Sequence, residues 1–237
     1  VTDDASLTTA VAGVDAAIAD ALAAESAVAG SSFTLTSGVD SFTGTANIDS
    51  FTGDDTDTTS LTMSTADSID GGTGGADVFN IFTSGAAPAI PQMANIETVN
   101  IYDLDSDFAT ADFGADVTAV NLVRGDGGLT LTVGGSVGTI GLTDLDVAAG
   151  NLGLTTTATA TSLDLNLSAV TGGAGDDIVL TGAALASSTI TATTASRAGT
   201  INVAGASAVT VVATGNLTLA NGIATTATAG TLTVSGA

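Results

Sequence analysis

Short apolar segments recur along the second half of this 237-residue chain at a nearly constant spacing. Between residues 127 and 237 most of their centres lie 10 to 12 residues apart, and Gly, Asn or Ala interrupts each interval. Threonine alternates with aliphatic residues inside the segments, which is typical of β-strands with one buried face. Regular short strands suit a solenoid, a sandwich or a barrel. The segments are centred on Leu131, Leu142, Leu154, Leu165, Val179, Ile190, Ile201, Val211, Leu219 and Leu232.

The predicted fold is therefore mainly β: a β-solenoid or β-roll-like stack of short strands, with a β-sandwich as the alternative. Small residues and repeated Gly or Asn turns favour the solenoid, because successive coils of chain must approach each other closely. The region 31–126 mixes Asp/Gly turns with short strands, predicted at 33–36, 78–82 and 96–101. Prolines in 87–91 indicate a loop there, since proline is rarely found in a central strand.

Residues 1–30 form a separate segment with helical periodicity. Its apolar residues recur at spacings of three and four, so they line one face of a helix. Gly30 is placed to end this helix. Two interpretations remain open, a helix packed on its own domain and a helix that docks on a neighbouring copy. The apolar face consists of Leu7, Val11, Val14, Ile18 and Leu22.

The charge balance narrows the function. The chain carries 25 acidic and two basic residues, for a formal net charge of −23, which argues against a nucleic-acid partner. All but two of the acids are Asp, a residue of turns and calcium loops, although an acidic protein adapted to salt is an alternative. The 44% hydrophobic content indicates a folded core. No apolar run approaches the roughly 18 residues of a membrane span.

Catalysis has little support in the residue inventory. Histidine and cysteine are absent, so there is no ordinary triad, thiol nucleophile or imidazole base. A calcium-dependent polysaccharide lyase is the one enzymatic alternative, because Arg124 lies beside Asp126. Sugar-binding enzymes usually stack aromatic rings on their substrate, and this chain has one tyrosine and no tryptophan. We therefore predict a protein that is not an enzyme.

Two glycine-rich stretches are the strongest candidates for a binding site. They run from Asp70 to Asp77 and from Gly172 to Asp177, and a degenerate third loop lies between Asp40 and Asp49. Glycines allow tight turns that expose backbone carbonyls, and aspartate adds a hard anionic oxygen, so such loops suit Ca²⁺. Plain glycine turns are the alternative for each loop. The candidate ligand positions are Asp40, Asp49, Asp70, Gly71, Gly72, Gly74, Asp77, Gly172, Gly173, Gly175, Asp176 and Asp177.

The second stretch resembles the calcium-binding nonapeptide of RTX proteins, G-G-x-G-x-D-x-U-x, at every defined position. In that pattern the apolar residue at the eighth position, here Val179, is expected to point into the core. The other two loops depart from it: Asn47 replaces a glycine, and one extra residue precedes Asp77. The usual tandem run of nonapeptides is also missing.

Three phrases extend the resemblance to a family. Residues 33–51, 66–81 and 94–101 are similar, in that order, to conserved phrases of bacterial surface-layer proteins of the RTX-related β-strand-repeat class. The resemblance implies a calcium-binding protein, exported to the bacterial cell surface by a type I system, that self-assembles into a lattice or filament. It also allows a cell-surface polysaccharide as partner. An RTX-type adhesin or a segment of an extracellular filament is the alternative.

Overall fold

A computed structural model describes residues 29–109, 113–147, 150–157, 159–225 and 231–236, together with Val11 and Val14. Within these ranges the chain forms a β-solenoid of about 8 turns, built from parallel stacked strands. The predicted solenoid is confirmed. The sandwich alternative is wrong, because sandwiches are built from antiparallel sheets and every strand pair among the described residues is parallel.

Nineteen strands are described, and alternate strands belong to different sheets. They are β1 (Ala29–Thr34), β2 (Ser41–Thr43), β3 (Ile48–Asp55), β4 (Ser68–Asp70), β5 (Val78–Thr83), β6 (Gln92–Ala94), β7 (Thr98–Tyr102), β8 (Phe108–Ala109), β9 (Ala119–Val123), β10 (Thr130–Val133), β11 (Thr139–Thr143), β12 (Leu152–Thr156), β13 (Asp164–Ser168), β14 (Ile178–Thr181), β15 (Ser187–Ala192), β16 (Ser196–Ala204), β17 (Ala208–Ala213), β18 (Leu217–Ala224) and β19 (Thr231–Gly236). The odd-numbered strands form one ten-stranded sheet in chain order. The even-numbered strands form a three-stranded sheet, β2 to β6, and a six-stranded sheet, β8 to β18.

One coil therefore consists of an odd-numbered strand and the even-numbered strand that follows it. Coil length varies, from 18 residues between the paired Phe33 and Phe51 to 28 residues between Phe51 and Phe79. This variation explains why the sequence shows no fixed repeat, although the register of the inward-facing side chains is kept. One inward ladder runs through Phe33, Phe51, Phe79, Val99, Val120, Ile140, Leu165, Ile190, Val211 and Val234.

The strand predictions are confirmed for the second half, since all ten predicted centres lie inside strands. The loop predicted at 87–91 is also confirmed. The sequence regions 31–126 and 127–237 differ in composition and share one sheet, because β9 pairs with β11. The predicted N-terminal helix lies outside the described residues, except for Val11 and Val14, which are helical and exposed.

Candidate metal centre

Three acidic side chains stack on one another at the start of the ten-stranded sheet. Asp49, Asp77 and Glu97 each lie two residues before a buried member of the inward ladder, so they face the same interior side of the sheet. Asp49 and Asp77 are fully buried at 0% exposure, and Glu97 is partly buried. Ionised carboxylates are rarely buried without a partner, so their hydrogen bonds decide what this stack can do.

Each acid accepts a hydrogen bond from the backbone of the preceding coil. The amide of Ser31 donates to Oδ1 of Asp49 at 2.5 Å, and the amide of Asp49 donates to Oδ1 of Asp77 at 2.6 Å. The amide of Asp77 in turn donates to Oε2 of Glu97 at 2.7 Å. Charge-assisted bonds of this kind are the strong ones. The carboxylates therefore connect the first four coils through their side chains.

One oxygen in this stack has no partner. Oδ2 of Asp77 is buried and accepts no hydrogen bond. The pKa of Asp77 is raised, first by burial and then by the negative charges of Glu97, Asp49 and Asp70, against the lowering effect of the Asp49 amide. An unsatisfied buried carboxylate oxygen is costly, so this atom calls for a proton or a cation.

Asp49 has the opposite balance. Burial raises its pKa, but the hydrogen bonds it accepts from the Thr45 amide, the Ser31 amide and the Thr45 hydroxyl lower it more, and its pKa ends below the ordinary value. The Thr45 amide donates to Oδ2 of Asp49 at 2.5 Å. Both oxygens of Asp49 are therefore satisfied within the protein, whereas those of Asp77 are not.

Glycine brings backbone oxygen close to the unpartnered atom. A Cβ placed on Gly71 would overlap the carbonyl oxygen of Asn95 and lie 2.5 Å from Oδ2 of Asp77. The same arrangement occurs one coil earlier, where a Cβ on Gly44 would overlap the carbonyl oxygen of Gly71 and lie 2.5 Å from Oδ2 of Asp49. Carbonyl and carboxylate oxygens are the ligands that Ca²⁺ prefers. The Asp77 corner therefore fits a hard cation.

The other predicted ligands of the first two loops support this corner or lie apart from it. Asp70 accepts hydrogen bonds from the side-chain amide of Asn95 at 2.7 Å and the amide of Gly72 at 2.9 Å, and these bonds lower its pKa. Gly72 adopts φ 92°, a left-handed conformation that favours glycine, and Gly74 packs against the backbone of Asn47. These residues hold the turn in shape and leave the Asp77 oxygen facing inward.

Asp40 belongs to a different corner. Its Oδ2 accepts a hydrogen bond from the amide of Thr36 at 2.6 Å, and its own amide donates to Oδ1 of Asp67 at 3.0 Å. Asp67 is fully buried and also accepts from the amide of Ser64 at 2.7 Å. The sequence analysis missed Asp67 and Glu97 because neither lies in a glycine motif. An acid two residues before an inward aliphatic, as in Glu97-Thr98-Val99, is the signal that identifies Glu97.

The loop at 172–177 differs from the first one in register. Val179 does not point into the core as predicted: Ile178 and Leu180 are fully buried, and Val179 is only partly buried. In the first loop the buried Phe79 lies two residues after Asp77, so Asp177 belongs to the opposite face of its strand. The resemblance to the RTX motif therefore holds in sequence but not in side-chain direction.

The carboxylates of this second loop are used within the protein. Oδ2 of Asp176 accepts a hydrogen bond from the amide of Gly173 at 2.5 Å, and Oδ1 of Asp177 accepts one from the amide of Thr200 at 2.7 Å. Gly172 packs tightly against Val147, while Gly175 faces open space. A plain glycine turn accounts for these contacts.

The outer face of the ten-stranded sheet carries a polar ladder and an aromatic stack. Asn100 donates to the side chain of Asn80 at 2.8 Å, and Asn121 donates to Asn100 at 2.7 Å. On the same face Phe82 stacks on Tyr102, with ring centroids 4.5 Å apart. The guanidinium of Arg124, from the next coil, lies 5.3 Å from the Tyr102 centroid. Both sides of the tyrosine ring are thus covered, which leaves no free platform for a sugar.

Arg124 is also paired with an acid. Its Nη2 lies 3.2 Å from Oδ2 of Asp103, and its Nε donates to Oδ1 of the same carboxylate at 3.2 Å. This contact is with Asp103 rather than with Asp126, the neighbour on which the lyase alternative was based. Across the described residues, no group of three or more acidic side chains is arranged to hold a metal ion. Any bound cation at Asp77 must therefore take most of its ligands from backbone oxygens or water.

Comparisons with family models, with curated proteins and with solved structures each found no match to this chain. The described residues include no helix that is long and apolar enough to cross a membrane. The function must therefore be argued from the solenoid and its acidic corner.

A difference in pH dependence should identify Asp77 as the strained acid. In calcium-free buffer we expect Asp77→Asn to raise the melting temperature at neutral pH. The pKa of Asp77 is raised in the folded state, so its stabilising contribution is complete below the ordinary value of 3.8 and is lost as the pH rises through the raised pKa. Asparagine has no such proton to lose, and its amide can donate towards the Asn95 carbonyl.

Circular dichroism melts of both proteins from pH 4 to pH 8 measure this gap. It should close as the pH falls towards the ordinary pKa of aspartate. A gap of constant size across the range, or a lower melting temperature for the variant at neutral pH, contradicts the assignment.

Proposed function

We propose that this chain is a structural protein of a bacterial cell surface, whose solenoid binds calcium at the Asp77 corner and assembles with copies of itself. One observation carries the calcium part of the proposal: Oδ2 of Asp77 is buried, has no hydrogen-bond donor, and lies on the same side of Gly71 as the Asn95 carbonyl. A divalent cation there supplies the positive charge that the corner lacks.

Electrostatics explains why a cation matters for the whole chain. The formal net charge of −23 opposes compaction and opposes contact between copies. Within the fold, the acids of three consecutive coils lie against one another, so each additional negative charge raises the cost of ionising the next. Calcium bound at Asp77 offsets this repulsion where the first coils stack. The proposed role is therefore to stabilise the acidic end of the solenoid.

The surface location and the self-assembly rest on the family resemblance. The three phrases cover residues 33–101, which form the first four coils, and the Asp77 corner lies inside the second phrase. A surface-layer subunit exported by a type I system agrees with this order of phrases and with a chain that lacks cysteine. A solenoid with two open ends and flat sides also suits a protein that packs into arrays.

Calcium titration with matched variants tests the proposal. We expect saturating calcium to raise the unfolding free energy of the wild type, by about 2.7 kcal/mol at a hundredfold excess over Kd, and to increase particle size. EGTA should reverse both changes, and magnesium should substitute poorly because it demands stricter octahedral geometry. Melting curves and electron microscopy report the two effects.

The variants locate the effect. Asp77→Asn should lose the calcium-dependent rise in melting temperature. Asp57→Asn should keep it, because Asp57 is exposed and bonds only within its own turn, to Thr59 at 2.7 Å. A wild type that ignores calcium overturns the proposed function, and an equal response from both variants removes Asp77 as the site.

A further inference from the structure

The end of the solenoid opposite to the Asp77 corner exposes its apolar core. Leu232 and Val234 of β19 continue the inward ladders of Val209 and Val211, which are 4% exposed, yet they are themselves 55% and 68% exposed. No described residue packs over them, because β19 is the last strand of its sheet. They border an open groove of about 320 Å³ between β18 and β19, lined by Val211, Leu217, Leu219, Ile223, Leu232 and Val234.

This end is also the part of the chain without acids. From residue 178 to residue 237 the sequence contains no Asp or Glu and one basic residue, Arg197, so all 25 acids lie before it. Asp177 precedes β14, two strands from β18, and Asp164 begins β13, three strands from β19. At about 4.8 Å per strand these acids are about 10 to 15 Å from the end, beyond the Debye length of about 8 Å at physiological salt.

The edge of β19 is open to pairing. Its sequence, Thr-Leu-Thr-Val-Ser-Gly, is rich in β-branched residues and has no charge or proline to discourage another strand. An edge with unpaired backbone groups and such a sequence is a template for a further strand. The neighbouring β18 edge is similarly uncharged, and it forms the other wall of the apolar groove.

We propose that this acid-free end, formed by β18 and β19, is the docking surface for a second copy of the same chain, in a tail-to-tail dimer with two-fold symmetry. The β19 edges pair in antiparallel fashion, and Leu232 and Val234 of each copy enter the groove of the other. Two-fold contacts of this kind are self-complementary. The inference deepens the proposed self-association and names its partner surface, but it does not depend on calcium.

Charge selects this arrangement over a head-to-tail chain. Every other surface of the molecule belongs to coils that carry acids, and contact between two copies there opposes like charges. A head-to-tail contact also brings the acid-free end against the acidic N-terminal coils, which closes the distance between the charged halves. The tail-to-tail dimer places those halves at opposite ends of the particle.

Sedimentation equilibrium of the full 237-residue chain in EGTA tests the inference. The wild type should form a closed dimer, and the double variant Leu232→Asp, Val234→Asp should weaken dimerisation by about a hundredfold or more. Val39→Asp is the matched control, because Val39 is 74% exposed but lies in the loop before β2. Circular dichroism confirms that each variant remains folded.

The remaining outcomes also decide the question. A monomeric wild type, an open-ended series of oligomers, or a double variant that still dimerises overturns the inference. Loss of the dimer on deletion of residues 1–28 overturns it as well, since the N-terminal segment would then be the occupant of the groove. A dimer in EGTA that does not respond to added calcium supports this interface while the proposed calcium role fails.

Discussion

Replacing Phe79 with alanine lowers the free energy of unfolding by about 3 to 5 kcal/mol, the largest single effect we expect from a core substitution. Phe79 is fully buried and is held in register between Phe51 on one side and Val99 on the other. The neighbouring coils are fixed by their own backbone hydrogen bonds, so they cannot collapse into the space that the ring leaves. The loss therefore combines the transfer free energy of the ring with the cost of a cavity.

Phe82→Ala is the matched control, on the outer face of the same strand. Phe82 is only partly buried and loses one stacking contact with Tyr102, worth about 0.5 to 1.5 kcal/mol beyond its buried area. Urea denaturation followed by circular dichroism compares the two variants. Equal losses at both positions contradict the assignment of faces, and with it the register of the inward ladder.

The strands could be predicted from the sequence because their signal is local. In 139–143, for example, Thr-Ile-Gly-Leu-Thr alternates between faces and is bounded by Gly138 and Asp144, which is enough to place β11. The pairing of strands is not local. The insertions at 56–64 and 84–91 lengthen two coils without changing the inward ladder, and only the three-dimensional register shows that Phe51, Phe79 and Val99 stack.

The candidate site was predicted in part for the same reason. Gly71 and Asp77 were found through a motif, because tight turns and carboxylates leave a local pattern. The motif at 172–177 matched better, yet a shift of one residue places Asp177 on the other face of its strand, and composition cannot show such a shift. Asn95 contributes through its backbone carbonyl, so its residue type carries no signal at all. Much of the aspartate enrichment turns out to serve hydrogen bonds between coils, as at Asp49 and Asp177.

Gly71→Ala should disrupt the Asp77 corner, at a cost of about 1 to 3 kcal/mol in the free energy of unfolding, and abolish the response to calcium. The added methyl group overlaps the carbonyl oxygen of Asn95 and lies 2.5 Å from Oδ2 of Asp77. The Asn95 oxygen belongs to the backbone of the adjacent coil, so it cannot move away without separating the two coils. The substitution therefore displaces both oxygens that we propose as ligands.

Gly75→Ala in the same loop separates this steric effect from a general preference for glycine. A Cβ on Gly75 meets no atom within 4 Å, so this variant should keep the calcium response and gain up to about 1 kcal/mol through a less flexible unfolded chain. Melting temperatures of both variants, each with calcium and with EGTA, give the comparison. If Gly71→Ala retains the calcium-dependent rise seen in the wild type, the cation does not bind between Asp77 and Asn95. If both variants lose it equally, loop flexibility controls binding, because the two positions share the loop and differ in their distance from the oxygens.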